Sequence, residues 1–407
     1  MKRSFAHTVA SFFAFLCVIF IPFPFNITKV QLAITDFLFG KLIRFFSSTF
    51  FGKRLSDTRV YSDTVSMYIL VLLLFILAFL ISLLLFKFKK WSVYRKGILD
   101  FFYRLSVYYL ALQLLKYGVD KIFKNQFYLP EPNTLFTPMG KLGKDLLYWS
   151  STGTSHFYSV FLGSVEALAA VFILIKRTRV IGLLISFGIM LNVVAINFGF
   201  DISVKLYSLF LLYLTFYLLT HYYGRLYQLF LQRKTGTVIP FSGTTGLSRN
   251  SFLPGFLKWL AAGLICLEAF YPFIKAKNFN DDLAGRPYLH GAYEVKQMIA
   301  GTDTLTEKES PVKRFFIHRN SYMIFQDQGD DMQDYKLSYN KGDSVFVLTD
   351  YQLKKTVLSF AYQASDSILT LQYFNNGKEN KLTGKAIDWR KLPVLQKGFH
   401  WTVDGRE

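Results

Sequence analysis

The chain has 407 residues, of which 52% are hydrophobic and only 18% charged, with 44 Phe and 25 Tyr. That composition excludes a disordered chain and, with its long uncharged runs, argues against an ordinary soluble protein. The net charge of +20 would suggest a nucleic-acid partner in a soluble protein, but the basic residues sit beside the apolar runs, so no nucleic acid is expected.

In chain order, MKRSFAHTVASFFAFLCVIFIPFPF has the basic start and apolar stretch of a signal peptide. No small-residue cleavage site follows, so it reads as a retained first span, Val9–Phe25. The segment Asn26 to Ser66 mixes apolar and charged residues, as in LAITDFLFGKLIRFF, and predicts an amphipathic helix lying along a membrane surface. VSMYILVLLLFILAFLISLLLF (Val65–Phe86) carries no charge and is long enough to cross a hydrocarbon core of about 30 Å. Further spans are predicted over Ile98–Tyr117, Phe157–Ile175, Val180–Phe198, Val204–Tyr222 and Phe252–Ile274, giving about seven. Asp100 and Arg104 lie in the first turns of the third, spaced to pair and to reach the membrane face. Between the third and fourth spans, Pro130, Pro132 and Pro138 break any continuous helix, and aromatics mixed with polar residues suit a cap over the helices.

The short basic loops KFKKWSVYRK and KRTR, with the stretch from His221 to Lys234, place the N-terminus in the cytoplasm. An odd number of spans then puts the C-terminal part outside. After about residue 280 the period changes to two: RFFIHRNSYMIFQD, SVFVLTD, TVLSFAYQ and ILTLQYFN alternate, with hairpin signals NKGD and NNGK between strands. A small antiparallel barrel or sandwich is predicted. The resulting domains are residues 1–97, the N-terminal spans and external segment; 98–222, a membrane bundle; 223–280, a cytoplasmic linker and last span; and 281–407, an extracytoplasmic β-domain.

Glu166 stands near the middle of the apolar run FYSVFLGSVEALAAVFILI. A carboxylate there cannot face lipid cheaply, so it needs a partner or stays protonated, and an intramembrane ionisable group is a ligand- or proton-site candidate. Buried helix packing is the plainer alternative. The stretch NVVAINFGFDISVKLYS joins two apolar runs and adds Asn192, Asn197, Asp201 and Lys205, the last two spaced i, i+4 with the acid first. Tyr117, Asp120 and Lys121 end the third span at the same face, and Ser155 and Tyr158 open the fourth, so four consecutive spans offer polar groups to one side. Trp149 and its neighbouring tyrosines fit a lid, although interfacial anchoring is the stronger explanation of such aromatics. Cys17 and Cys266 form no CxxC and read as packing residues, and no metal-ligand spacing occurs. His156 and His221 fall at opposite ends of their spans and cannot share a haem iron.

YGVDKIFKNQF, LLYWSSTGTSHFYSVFLGSVEALAAVFILIKRTRVIGLLI and NVVAINFGFDISVKLYS together resemble the DoxX family of bacterial membrane proteins. YSDT (Tyr61 to Thr64), GAYEV (Gly291 to Val295) and GFHW (Gly398 to Trp401) extend the likeness to its longer members, which carry an extra N-terminal span and a C-terminal domain. The chain departs from the family pattern with His156, where Pro or a small residue is usual, and with Ser62, where Gly is usual. The resemblance implies a four-helix core and a link to quinone-dependent redox complexes. By motif its ligand-binding candidates are Tyr117, Lys121, Gln126, Trp149, Glu166, Asn192, Asn197, Asp201 and Lys205. GxYEV is also similar to the first strand of lipocalin-like barrels.

Two function classes stay open on these grounds. One is a membrane subunit of a redox-linked, quinone-associated system with a polar ligand pocket near the outer leaflet. It would use a bound quinone and a redox partner protein. The other is a non-catalytic scaffold among membrane lipids whose β-domain binds an envelope protein or lipid. Transport ranks lowest, because the polar groups cluster externally and the inner halves of the spans read as apolar.

Overall fold

The computed structural model describes residues 4–22, 28–52, 60, 62–232, 252–340, 342–375, 378–396 and 402. GFHW and Tyr61 of YSDT therefore lie outside the described residues, as do Arg233 and Lys234. The helices are α1 (Phe5–Phe20), α2 (Thr28–Phe51), α3 (Val65–Lys87), α4 (Trp91–Ile122), α5 (Pro132–Leu135), α6 (Lys144–Thr154), α7 (His156–Leu174), α8 (Arg179–Gly199), α9 (Lys205–Thr220), α10 (Tyr223–Phe230) and α11 (Phe252–Ala276). The strands are β1 (Gly291–Ala300), β2 (Asp303–Thr306), β3 (Val312–His318), β4 (Tyr322–Asp327), β5 (Met332–Asn340), β6 (Val345–Thr349), β7 (Lys355–Gln363), β8 (Ile368–Asn375) and β9 (Lys378–Ile387). The chain divides into two units: Met1–Gln126 with Phe157–Asn280, and Phe127–His156 with Asp281–Glu407.

The first unit is helical. Its termini follow local chemistry: the Ser4 hydroxyl accepts from the His7 amide and opens α1, and the Thr64 hydroxyl accepts from Met67 and opens α3. The Arg179 Nε donates to the Ile173 carbonyl at 2.8 Å, satisfying one of the last carbonyls of α7. Among the described residues, five helices, α3, α4, α7, α8 and the one carrying α11, are long and apolar enough to cross a membrane, while α1 and α9 are apolar but shorter. α2 buries Thr35, Phe39, Ile43 and Ser47, one stripe at four-residue spacing. α4 starts seven residues earlier than the apolar pattern predicts, because Trp91 is itself buried in the core. It packs on α1, α9 and α11, and α8 packs on α9.

α4 and α7 approach closely where two glycines meet. A Cβ on Gly118 would lie 2.7 Å from the Gly163 carbonyl oxygen and 2.9 Å from the Ala167 nitrogen. No side chain fits there, so backbone touches backbone, as small residues allow in membrane helix pairs.

The second unit is a closed antiparallel barrel. Eight strands run in the order β1-β3-β4-β5-β6-β7-β8-β9 and close by pairing β9 with β1, from Ala292↔Ile387 to Ala300↔Asn380. β2 lies beside the far half of β1 (Gln297↔Thr306 to Ala300↔Asp303), while β3 takes the near half. On its other edge β1 pairs with β9 through a bulge between Val295 and Gln297, which bends the strand. Closure removes the exposed edges that a sandwich of these strands would leave. At NKGD the Asn340 side chain accepts from the Gly342 amide at 3.0 Å. At NNGK, Asn375 pairs with Lys378, and Asn376 and Gly377 lie outside the described residues.

The segment 127–156 belongs to this second unit. Phe136 stacks on Phe316 with centroids 6.0 Å apart, its carbonyl accepts from Gln326 Nε2 at 3.1 Å, and Leu129, Leu135 and Trp389 complete that cluster. Phe316 points out of the barrel yet is fully buried for this reason.

Candidate functional site

In the helical unit, Glu166 on α7 has found its partner on α4. Lys121 Nζ donates to Glu166 Oε2 at 2.8 Å, and the two side chains are only 9% and 7% exposed. The Gly118–Gly163 contact one turn away sets this spacing, and the Ser159 hydroxyl donates to the Lys121 carbonyl at 2.9 Å. The Lys121 ammonium also lies 5.4 Å from the centre of the Tyr117 ring, and Tyr117 is within electrostatic reach of Asp120 and Glu166. A low-dielectric pocket strengthens each of these attractions and makes any unpaired member expensive.

The junction between α8 and α9 forms a second cluster. Asp201, held at a positive φ of 53°, pairs with Lys205 Nζ at 2.7 Å. Asp63 joins from the YSDT turn: its Oδ2 accepts from the Lys205 amide and its Oδ1 from the Leu206 amide, both at 2.9 Å. Ser62 beside it sits at φ 47°, a conformation glycine adopts without steric cost.

The remaining candidates divide. Asn197 is buried with its Nδ2 unpartnered among the described residues, and the buried Gln126 Oε1 is likewise unpartnered. Asn192 is exposed on α8. Trp149, on α6, belongs to the barrel unit, where its ring lies 5.2 Å from that of Phe127. No group of three or more His, Cys, Asp or Glu residues suited to a metal ion occurs among the described residues.

Several polar groups escaped the sequence reading. Lys116 Nζ and Glu268 Oε1 form a second part-buried ion pair at 3.4 Å between α4 and α11. Glu268 carried the same signal as Glu166, an acid inside the apolar run AAGLICLEAF. Toward the other end of α4, Tyr103 and Tyr222 hydroxyls meet at 3.0 Å, and Tyr217 donates to Ser11 at 3.0 Å. The His7 and His221 rings lie 5.1 Å apart, and Asp100 and Arg179 are both buried. The helix halves opposite Glu166 are therefore not simply apolar. Their tyrosines and serines are masked in sequence by the phenylalanine and leucine around them. Midway along α4, Gln113 is fully buried with neither amide atom partnered among the described residues.

In the barrel unit, Glu131 is the centre of a polar knot. Its Oε2 accepts from His290 Nε2 at 2.7 Å and from the Arg319 amide at 3.1 Å. Burial alone would raise its pKa, but the His290 hydrogen bond and charge, His318 and the Arg319 amide outweigh that and hold it below the ordinary carboxylate range. Asp281 receives both Arg319 guanidinium nitrogens, at 2.6 and 2.8 Å, and Arg286 at 3.1 Å.

The chain is similar to an uncharacterized protein, YwoB, of Bacillus subtilis (strain 168), with 38% identity over 98 residues, which is 24% of this chain and 61% of that protein. No protein-family model matches the chain, and no solved structure matches it.

Proposed function

We propose that the chain is a DoxX-like integral subunit of a quinone-linked redox system in the bacterial cytoplasmic membrane. In this reading α1, α3, α4, α7, α8, α9 and α11 all span the bilayer. The basic loops flanking α3 and α7 face the cytoplasm, and the barrel is extracytoplasmic. The polar centre is the Lys121–Glu166 pair, near the outer leaflet.

The observation that carries the reading is the burial of that pair. A buried Lys–Glu pair inside an apolar bundle contributes little to stability over well-packed apolar residues, so its presence there favours a role in binding. The Lys121 ammonium would donate to a quinone carbonyl oxygen, and Glu166 would hold or release a proton beside it. Tyr117, Asn197 and Gln126 supply further hydrogen-bonding groups on α4, α8 and the loop after α4.

The test is solvent extraction and mass spectrometry of the protein purified in mild detergent, against lipid extracted from the same membranes. A stoichiometric quinone that disappears in a folded Lys121→Met/Glu166→Leu variant is the expected result. Equal quinone in the variant, or none above the lipid control in the parent, overturns the reading.

A further inference from the structure

Inside the barrel, aromatic side chains pack one end of the lumen and a cavity takes up the other. At the filled end Tyr293 stacks on Phe315 with centroids 5.0 Å apart, and Phe346 on Phe360 at 4.1 Å, with Tyr288 against Phe360. The inward positions farther along the same strands enclose a cavity of about 720 Å³, lined among others by Phe325, Tyr335, Leu348, Leu358, Leu371 and Tyr373. Its size is that of a small-molecule site. Eight-stranded barrels have just enough interior either to pack with side chains or to hold one ligand, and this one does each at opposite ends. Its lining is mixed, with Gln333 and Thr356 among the aromatic and aliphatic side chains, which suits an amphiphile better than a pure hydrocarbon.

The entrance is basic and apolar. Lys354 and Lys355, at the end of the β6–β7 turn and the start of β7, line the cavity, are exposed, and engage in no ion pair among the described residues. Two acids share this rim, Asp350, which accepts from the Gln352 and Lys354 amides, and Asp334, which accepts from the Tyr351 hydroxyl; both keep their charge, so the two lysines must hold an anion against them. In the turn, Leu353 is held at φ 66° and is 80% exposed, and Phe374 on β8 is 74% exposed. An apolar residue kept at a strained, solvent-facing position is a feature of binding rims.

We propose that the barrel holds a single-chain amphiphile with an anionic head, its chain in the cavity and its head between Lys354, Lys355 and Tyr335. This proposal stands apart from the redox reading, since it uses no residue of the helical unit. A long-chain fatty acid and a lysophospholipid share the required chemistry.

The full chain in nanodiscs is exposed to a diazirine-bearing C16 fatty acid, irradiated, digested and mapped by mass spectrometry. Label within residues 312–382, competed by unlabelled C16 acid but not by acetate or the C16 alcohol, is the expected result. Leu371→Trp fills the cavity and should reduce that label about tenfold. Lys354→Glu/Lys355→Glu, at exposed positions that should leave folding intact, should reduce it roughly threefold to tenfold. A lysophospholipid competing better than the acid assigns the ligand to the membrane, and the reverse assigns it to free fatty acid. Label confined to the helices, or label in the barrel that survives both competition and charge reversal, overturns the proposal.

Discussion

The carboxylate of Asp63 caps a helix that begins 142 residues later in the chain, each oxygen taking one of the first two amides of α9, those of Lys205 and Leu206. A helix start leaves such amides without partners, and a negative charge there also favours the helix dipole. Asp63→Ala should cost about 1–2 kcal/mol. Asp63→Asn should recover part of that loss. Thermal unfolding in detergent of the parent and both variants checks the order.

The Lys121–Glu166 pair predicts an asymmetry between single and double variants. Glu166→Gln leaves the Lys121 ammonium buried without its counter-charge and should destabilise the helical unit by about 3–5 kcal/mol. Replacing both residues by apolar ones, Lys121→Met/Glu166→Leu, should recover most of the loss or all of it. A double variant as unstable as the single one would mean that the pair does not act as a unit. Denaturant or thermal unfolding of the parent, Lys121→Met, Glu166→Leu and the double variant closes the cycle.

The contact between α4 and α7 predicts intolerance to one methyl group. In Gly118→Ala the new carbon meets backbone atoms of Gly163 and Ala167, which cannot rotate away. The helices must separate, at a cost of about 1–3 kcal/mol, and Lys121 loses its distance to Glu166. A lowered unfolding temperature is expected, as is loss of any ligand held at that pair.

The barrel unit should weaken on acidification. Burial lowers the pKa of His318 from its ordinary 6.5, Glu131 partly opposes this, and the Arg319 charge lowers it further. Its Nδ1 also accepts the Asn320 amide at 3.1 Å, which suits the neutral ring. Glu131 is held below 4.5. Both groups bind protons more weakly folded than unfolded, so the stability they contribute is present above their unfolded values. It is lost as pH falls, first from about 6.5 for His318 and then below 4.5 for Glu131. Unfolding of the full chain followed by near-ultraviolet circular dichroism from about pH 8 down to about pH 2 should show both steps. His318→Asn should abolish the upper one.

The barrel was legible because KTVLSFAYQ and its neighbours alternate, and alternation is a local property. Its closure was not legible: Ala292 pairs with Ile387 through no signal that either residue carries alone. Glu166 stood out because a charge in an apolar run is visible by itself, and Glu268 shows that the same rule applied evenly would have found the second pair. The tyrosine pairs Tyr109–Tyr207 and Tyr103–Tyr222 were hidden, since tyrosine is as common at membrane interfaces as in cores. Each of the seven apolar runs contains a helix, but α1 ends at Phe20, short of the expected Phe25, and 16-residue helices such as α1 and α9 carry no length signal of their own.

The barrel unit is assembled from two stretches, 127–156 and 281–407, with the whole of α7 to α11 between them in sequence. A ribosome therefore delivers Glu131 and Phe136 long before the strands that hold them. With synthesis at about 5–20 residues per second, the first stretch waits on the order of ten seconds or more for its partner. During that interval its aromatic residues are exposed to chaperones, proteases and lipid. A gene fragment starting at residue 281 would skip the delay but arrive without the segment that covers Phe316. Such a fragment should be soluble only when residues 127–156 are restored, fused ahead of it or added as a separate peptide.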